Sequence, residues 1–191
     1  MRQLEERILE DGKVLPGGVL KVGSFLNHCI DTELLRAMAA EIAALYKDTE
    51  VTKIITIEAS GIALAVATGM AMGVPVVFAK KHRTTNVDGT VHMTIVHSFT
   101  HNEDYHVVVS SDCISDQDKI LIIDDFLANG SALRGLVDLV GQSGAEVVGV
   151  AVAVEKCFQS GGDEFRAKGI RVDALASIES MTDDGRIRFR S

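Results

Sequence analysis

Ile120-Leu121-Ile122-Ile123-Asp124-Asp125-Phe126-Leu127-Ala128-Asn129-Gly130-Ser131-Ala132 decides how this chain folds. Ile120 to Ile123 reads as a strand buried on both faces, the composition of a parallel sheet covered by helices. The strand delivers two adjacent carboxylates to its carboxyl end, where ligands gather in open α/β sheets, and a loop of small residues opens directly into a helix over Ser131 to Gln142. Such an arrangement is a clamp for a sugar phosphate. Carboxylates accept hydrogen bonds from vicinal ribose hydroxyls, the amides of Ala128 to Ala132 and the helix N-terminus meet a phosphate, and Gly130 lets the backbone approach closely. An isolated Asp-Asp followed by glycine is as readily an ordinary turn, with Asn129 or Ser131 as a helix cap, so the reading rests on the whole string.

The flanking segments extend the same architecture. On the N-terminal side, Val51 to Ile57 predicts a strand, Glu58-Ala59-Ser60-Gly61 a tight turn, and the alanine-rich run that follows a buried helix ending near Gly73. Val74 to Ala79 predicts a second strand, with Pro75 tolerable only near its start. On the C-terminal side, Val147 to Val154 predicts a further strand. Apolar strands alternating with helices give an α/β fold with a central, mostly parallel sheet flanked by helices. Leu4, Ile8 and Leu9 among charged residues predict a short helix closed by Asp11-Gly12. Leu34, Leu35, Met38, Ile42 and Leu45 place an apolar stripe on a helix over Glu33 to Tyr46, capped by Asp31 or Thr32. Between the second strand and Ile120, Val91, Met93 and Ile95 alternate with polar residues, and Tyr105 to Ser110 offers a returning partner. That texture predicts an antiparallel hairpin with a polar tip over Ser98 to Asp104, either a lid or a plain surface turn.

The totals set limits. At 191 residues the chain has the length of one domain, here 1–191, and 47% hydrophobic with 24% charged residues is the balance of a globular protein. A net charge of −8 and a pI near 5.2 argue against a nucleic-acid partner, since that affinity comes from basic clusters that displace phosphate counterions. Cys29, Cys113 and Cys157 form no disulfide framework and are expected as reduced, mostly buried thiols. No stretch approaches the roughly 18 apolar residues of a membrane span and no secretory signal opens the chain, so the expected location is the cytoplasm with no membrane partner. His82, His92, His97, His101 and His106 cluster around the hairpin without a metal-ligand motif and read as surface or lid residues.

The segment from Ile120 to Ala132 resembles the phosphoribosyl-pyrophosphate motif of the type I phosphoribosyltransferases. The Ala128-Asn129-Gly130-Ser131-Ala132 loop departs from the commoner threonine-containing form and is similar to the xanthine branch, over nearly the whole chain from the region of Leu20. The resemblance implies the type I phosphoribosyltransferase fold, with a small hood over the base and the hairpin as a lid. It implies that Asp124 and Asp125 are the catalytic carboxylates and Ala128 to Ala132 the 5′-phosphate loop. Ala59, Ser60 and Gly61 resemble the pyrophosphate loop, with Lys80 and Lys81 offsetting charge. Leu20 and Asn27 in Leu20-Lys21-Val22-Gly23-Ser24-Phe25-Leu26-Asn27-His28 resemble base-covering residues, and Lys156 a base-contacting cation. Apart from the resemblance, Ser60 is a helix cap, the lysine pair a solvated surface, the Leu20 segment a loop with one buried leucine, and Lys156 an exposed strand-end lysine.

The implied substrates are xanthine and phosphoribosyl pyrophosphate, with Mg²⁺ held mainly through substrate oxygens and water, and the implied assembly is a homodimer built on the Glu33 to Tyr46 helix or the lid region. Pyrophosphate leaves the anomeric carbon as an imidazole nitrogen of the purine attacks from the opposite face. That chemistry asks for positioning and electrostatics, which supply on the order of 7–11 kcal/mol, rather than for a covalent nucleophile. Guanine or hypoxanthine would meet Lys156 similarly, and a transcriptional regulator that keeps the fold to sense phosphoribosyl pyrophosphate is the alternative from a different class.

Overall fold

The structure is a computed structural model that describes residues 1–82, 90–98 and 103–190. The N-terminal part comprises α1 (Arg2–Asp11), a small hairpin of β1 (Lys13–Leu15) and β2 (Val19–Lys21), and α2 (Thr32–Leu45). Then come β3 (Lys53–Ile57), α3 (Gly61–Met72), β4 (Val76–His82), β5 (Val91–Ser98), β6 (Glu103–Ser110) and β7 (Lys119–Leu127). The chain closes with α4 (Ser131–Gln142), β8 (Glu146–Lys156), α5 (Gly161–Ala167), β9 (Val172–Met181) and β10 (Ile187–Phe189). Among the described residues the main sheet has eight strands in the order β10-β9-β8-β7-β3-β4-β6-β5. The five in the middle, β9 to β4, are parallel, and antiparallel strands continue it at both sides.

Two-sided burial follows from strand alternation. In β7, Leu121 and Ile123 enter one core with α1 and α2, while Ile120 and Ile122 enter the other beneath α4. α2 is positioned by its apolar stripe: Leu34, Met38, Ala39 and Ile42 are buried, each large side chain contributing about 1.5–3 kcal/mol, and Asp31 Oδ1 accepts from the amides of Glu33 and Leu34 at 3.1 and 3.0 Å. α3 ends at Gly73, in the left-handed conformation with φ 71°.

Several expectations need correction. β4 runs on through Lys80 and Lys81 because β6 pairs with it there, Lys80 opposite Val108 and Lys81 opposite Val107, so the lysines lie inside the strand rather than after it. β7 continues through Asp124 and Asp125 to Leu127 because its pairing with β8 continues, up to Leu127 opposite Glu155. α3 is not buried all round: Leu64, Ala65 and Thr68 are buried, but Val66 is 42% and Met70 81% exposed. The cysteines are not mostly buried either, since Cys29 and Cys113 lie in exposed connections and Cys157 is half-buried. The hairpin of β5 and β6 is present, while residues 99–102 at its expected tip, and His101 with them, lie outside the described residues.

The order of strands places the site. From β3 the chain crosses through α3 to β4 on one side, whereas β7, on the other side of β3, leads outward to β8 and β9. The direction of winding therefore reverses between β3 and β7, and the crevice at their carboxyl ends is where such sheets bind ligands.

Candidate active site

At that crevice the turn after β3 meets the two carboxylates of β7. Gly61, the first residue of α3, fits between them: a Cβ there would lie 2.1 Å from Thr56 Oγ1 and 2.9 Å from Asp124 Oδ1. Asp124 is 9% exposed, and its Oδ1 accepts from the Asp125 amide at 2.9 Å, while Asp125 Oδ1 accepts from the Phe126 amide at 3.0 Å. Burial pushes the Asp124 carboxyl above the usual carboxylate range, the Asp125 charge adds to the push, and Lys81 acts against it. The preceding turn is tied to β4 by the Lys81 amide, which donates to Glu58 Oε1 at 2.5 Å.

The small-residue loop is held open by its own geometry. Gly130 has φ 82°, which favours glycine, and Asn129 Oδ1 accepts from the Ser131 amide at 3.1 Å. α5 backs this loop: the Gly161 amide donates to Ala128 O at 3.1 Å, and a Cβ on Gly161 would lie 2.4 Å from that oxygen and 2.7 Å from the Gly130 nitrogen. Over the loop lies a cavity of about 210 Å³, bounded by Ala128 to Leu133 beneath and by His97 and Tyr105 from the hairpin. His97 Nδ1 lies 2.7 Å from Asp104 Oδ1. Burial raises the Tyr105 phenol, and the Asp124 charge raises it further.

Neighbouring residues on a strand point to opposite faces, and this separates the two lysines. Lys81 Nζ lies 5.2 Å from the Tyr105 ring centroid, on the side of Asp124, whereas Lys80 Nζ lies 5.9 Å from the Phe78 ring on the far face.

The N-terminal hairpin of β1 and β2 reaches the carboxyl end of β8. Lys156 Nζ donates to Gly18 O at 2.8 Å and stands 5.6 Å above the Phe126 ring, so this lysine is half-buried rather than exposed, and burial lowers its ammonium pKa. Leu20 is 6% exposed and packs in the core with α1, while Asn27 is exposed on the segment that follows. The structure thus brings Asp124, Asp125, Gly61 and Lys81 together, sets Ala128 to Ala132 beside them, and puts Lys156 under the hood. Sequence reasoning missed Thr56, Tyr105, Phe126 and Gly161. Only Phe126 carried a local signal, directly after the carboxylate pair; the others matter through contacts distant in the chain.

The reversed winding brings the carboxylate pair and the glycine-opened loop of Ala128 to Ala132 to one crevice, the arrangement expected of a phosphoribosyltransferase. The chain belongs to that family: the model of the phosphoribosyl transferase domain matches residues 24–176. Within it, the chain is 50% identical over 193 residues to xanthine phosphoribosyltransferase of Bifidobacterium adolescentis, with 100% of each chain covered. It is 45% identical over 190 residues to xanthine phosphoribosyltransferase of Limosilactobacillus fermentum, covering 100% of this chain and 97% of that one. The fold matches adenine phosphoribosyltransferase of Trypanosoma brucei, solved with AMP, pyrophosphate and ribose-5-phosphate, with a TM-score of 0.78, 19% identity, and 95% and 82% of the two chains covered. It also matches the Giardia lamblia adenine enzyme with a TM-score of 0.77, 20% identity, and 91% and 97% covered.

Proposed function

We propose that this chain is a purine-salvage enzyme that converts xanthine and phosphoribosyl pyrophosphate to xanthosine 5′-monophosphate and pyrophosphate. The observation that carries the reading is the junction of a carboxylate pair, a cavity of about 210 Å³ over Ala128 to Ala132, and a half-buried cation, Lys156, beside the Phe126 ring. Full-length likeness to xanthine enzymes selects the base.

In this reading Asp124 and Asp125 accept the ribose hydroxyls and hold the sugar as cation-like charge develops at its anomeric carbon. The amides of Ala128 to Ala132 hold the 5′-phosphate. Ala59, Ser60 and Gly61 receive the leaving pyrophosphate, with Lys81 near it and Lys80 contributing through its charge. Leu20, Asn27 and Lys156 bound the base, and a cation beside an oxopurine favours its anionic form. The hairpin, closing over the cavity, excludes water.

Mg²⁺ suits these surroundings. The ionisable groups at the crevice offer hard oxygen donors, and among the described residues no cluster of three His, Cys, Asp or Glu side chains is arranged as a metal cage. The ion would be held mainly by substrate oxygens and water, and when bound it supplies charge neutralisation on the leaving pyrophosphate.

A homodimer accompanies this reading. Strand register puts Phe78, Met93 and Ile95 on one face of the sheet, where they are 41%, 38% and 61% exposed. α3 packs on that same side through Gly69 and Val76 and adds the exposed Val66 and Met70. These exposed apolar side chains on the lid-region hairpin and α3 support a contact with a second copy of the chain, while α2 keeps Leu34, Met38 and Ile42 in the core and leaves Leu45 38% exposed. Among the described residues no helix is long and apolar enough to cross a membrane; a cytoplasmic location is part of the proposal.

The test is pyrophosphate release with Mg²⁺ and phosphoribosyl pyrophosphate, supplying xanthine, guanine, hypoxanthine and adenine separately. Preference for xanthine is expected. Preference for guanine or hypoxanthine would keep the reaction and overturn the base assignment; no release with any base would overturn the enzyme.

A further inference from the structure

Two threonines are wholly buried in the α3 layer, Thr56 and Thr68, both 0% exposed, and only one is satisfied. Thr68 Oγ1 donates to Leu64 O at 2.8 Å in the ordinary helical manner. Thr56 Oγ1 has no hydrogen-bond partner among the described residues. A buried hydroxyl without a partner destabilises a fold, and valine would occupy this strand position without that penalty.

The surroundings of the hydroxyl give it a use. Thr56 sits near the carboxyl end of β3, at the reversal of winding, and its Oγ1 and Asp124 Oδ1 both lie within 3 Å of the point that a Cβ on Gly61 would occupy. That space exists because residue 61 is glycine: a Cβ there would be 2.1 Å from Thr56 Oγ1 and 2.9 Å from Asp124 Oδ1. The other charged or titratable groups about Asp124 come from β7 (Asp125), β4 (Lys81) and β6 (Tyr105).

We propose that Thr56 is a positioning residue for phosphoribosyl transfer, its hydroxyl turning to donate to the Asp124 carboxylate, directly or through one water, when the ribose of phosphoribosyl pyrophosphate engages that carboxylate. This rests on the function proposed above. The donor fixes the direction of a buried carboxylate that shares the ribose hydroxyls with Asp125, and its cost is carried by the unliganded protein, a pattern of functional sites. Thr56 acts through Asp124 and touches no reacting atom.

The experiment compares wild type with Thr56→Val, which keeps shape and removes the hydroxyl, and with Thr56→Ser, which keeps the hydroxyl. Expected for Thr56→Val are an unliganded thermal midpoint equal to or above wild type, a smaller rise in that midpoint on adding Mg²⁺ and phosphoribosyl pyrophosphate, and a fall of about tenfold or more in kcat/KM for phosphoribosyl pyrophosphate. KM for xanthine should stay near wild type, and Thr56→Ser should restore most of the loss. If Thr56→Val matches wild type within about twofold, or loses midpoint and activity together without rescue by serine, the hydroxyl is structural or idle and the proposal fails. A wild type that neither gains stability from phosphoribosyl pyrophosphate nor turns over xanthine would instead overturn the functional reading.

Discussion

The Arg166 guanidinium holds the Glu155 carboxylate through both oxygens, Nη1 to Oε1 and Nη2 to Oε2, each at 2.7 Å. Glu155 is 3% exposed and immediately precedes Lys156 at the end of β8, so this fork ties α5 to the strand end that presents Lys156. Arg166 Nη2 also donates to Val172 O at 3.2 Å, which ties in the start of β9. Removing the guanidinium strands a buried charge. Arg166→Ala should therefore lose about 2–4 kcal/mol, less than for a fully enclosed pair because the arginine is partly exposed, and the change is measured by urea unfolding.

Asp118 ties the loop before β7 to β3. Burial raises its carboxyl, but hydrogen bonds from Lys53, the Ser115 amide and Thr52 outweigh burial and bring the pKa down from 3.8 to about 2. A depressed carboxylate contributes stability that is present above its unfolded pKa and lost as pH falls through the folded one. Asp118→Asn should cost about 2 kcal/mol at neutral pH, with the gap to wild type closing between about pH 4 and pH 2. Unfolding free energies measured across that window check it.

Gly161 lets α5 back the Ala128 to Ala132 loop at a distance no side chain tolerates, with Ala128 O only 2.4 Å from where a Cβ would sit. Gly161→Ala should push the loop or helix aside, costing about 1–3 kcal/mol of stability and raising KM for phosphoribosyl pyrophosphate by about tenfold, with KM for xanthine little changed. Steady-state kinetics at varied concentrations of each substrate separates the two.

Lys156 is held by Gly18 O and by the Phe126 ring before any base arrives. Lys156→Met keeps much of the apolar stem and removes the charge. It should lower kcat/KM for xanthine by about 10- to 100-fold, and affect adenine, which lacks the 6-oxo group, much less. The base panel run on this variant checks both.

What was legible in the chain was what neighbours in sequence decide. The strand, carboxylate pair and glycine loop from Ile120 to Ala132 are local chemistry, the stripe of α2 repeats at helical spacing, and Gly73 stops α3 where a left-handed residue is needed. α3 itself misled because it is apolar all round, and such a helix gives no sign of which side faces the sheet. The short strands β1, β2 and β10 and the helix α5 were also silent, each with too few residues to show a period.

By itself, then, the sequence determined an α/β fold and the strand-loop-helix that carries the carboxylates and the Ala128 to Ala132 loop, because hydrophobic periodicity and glycine act within a few residues. Tertiary structure alone decided that β4 extends through Lys80 and Lys81, that of the two lysines Lys81 stands beside Tyr105, that Gly161 backs Gly130, and that Thr56 and Asp124 both crowd Gly61. Those relations join segments far apart in the chain, and they exist only once sheet register and helix packing have set the distances between them.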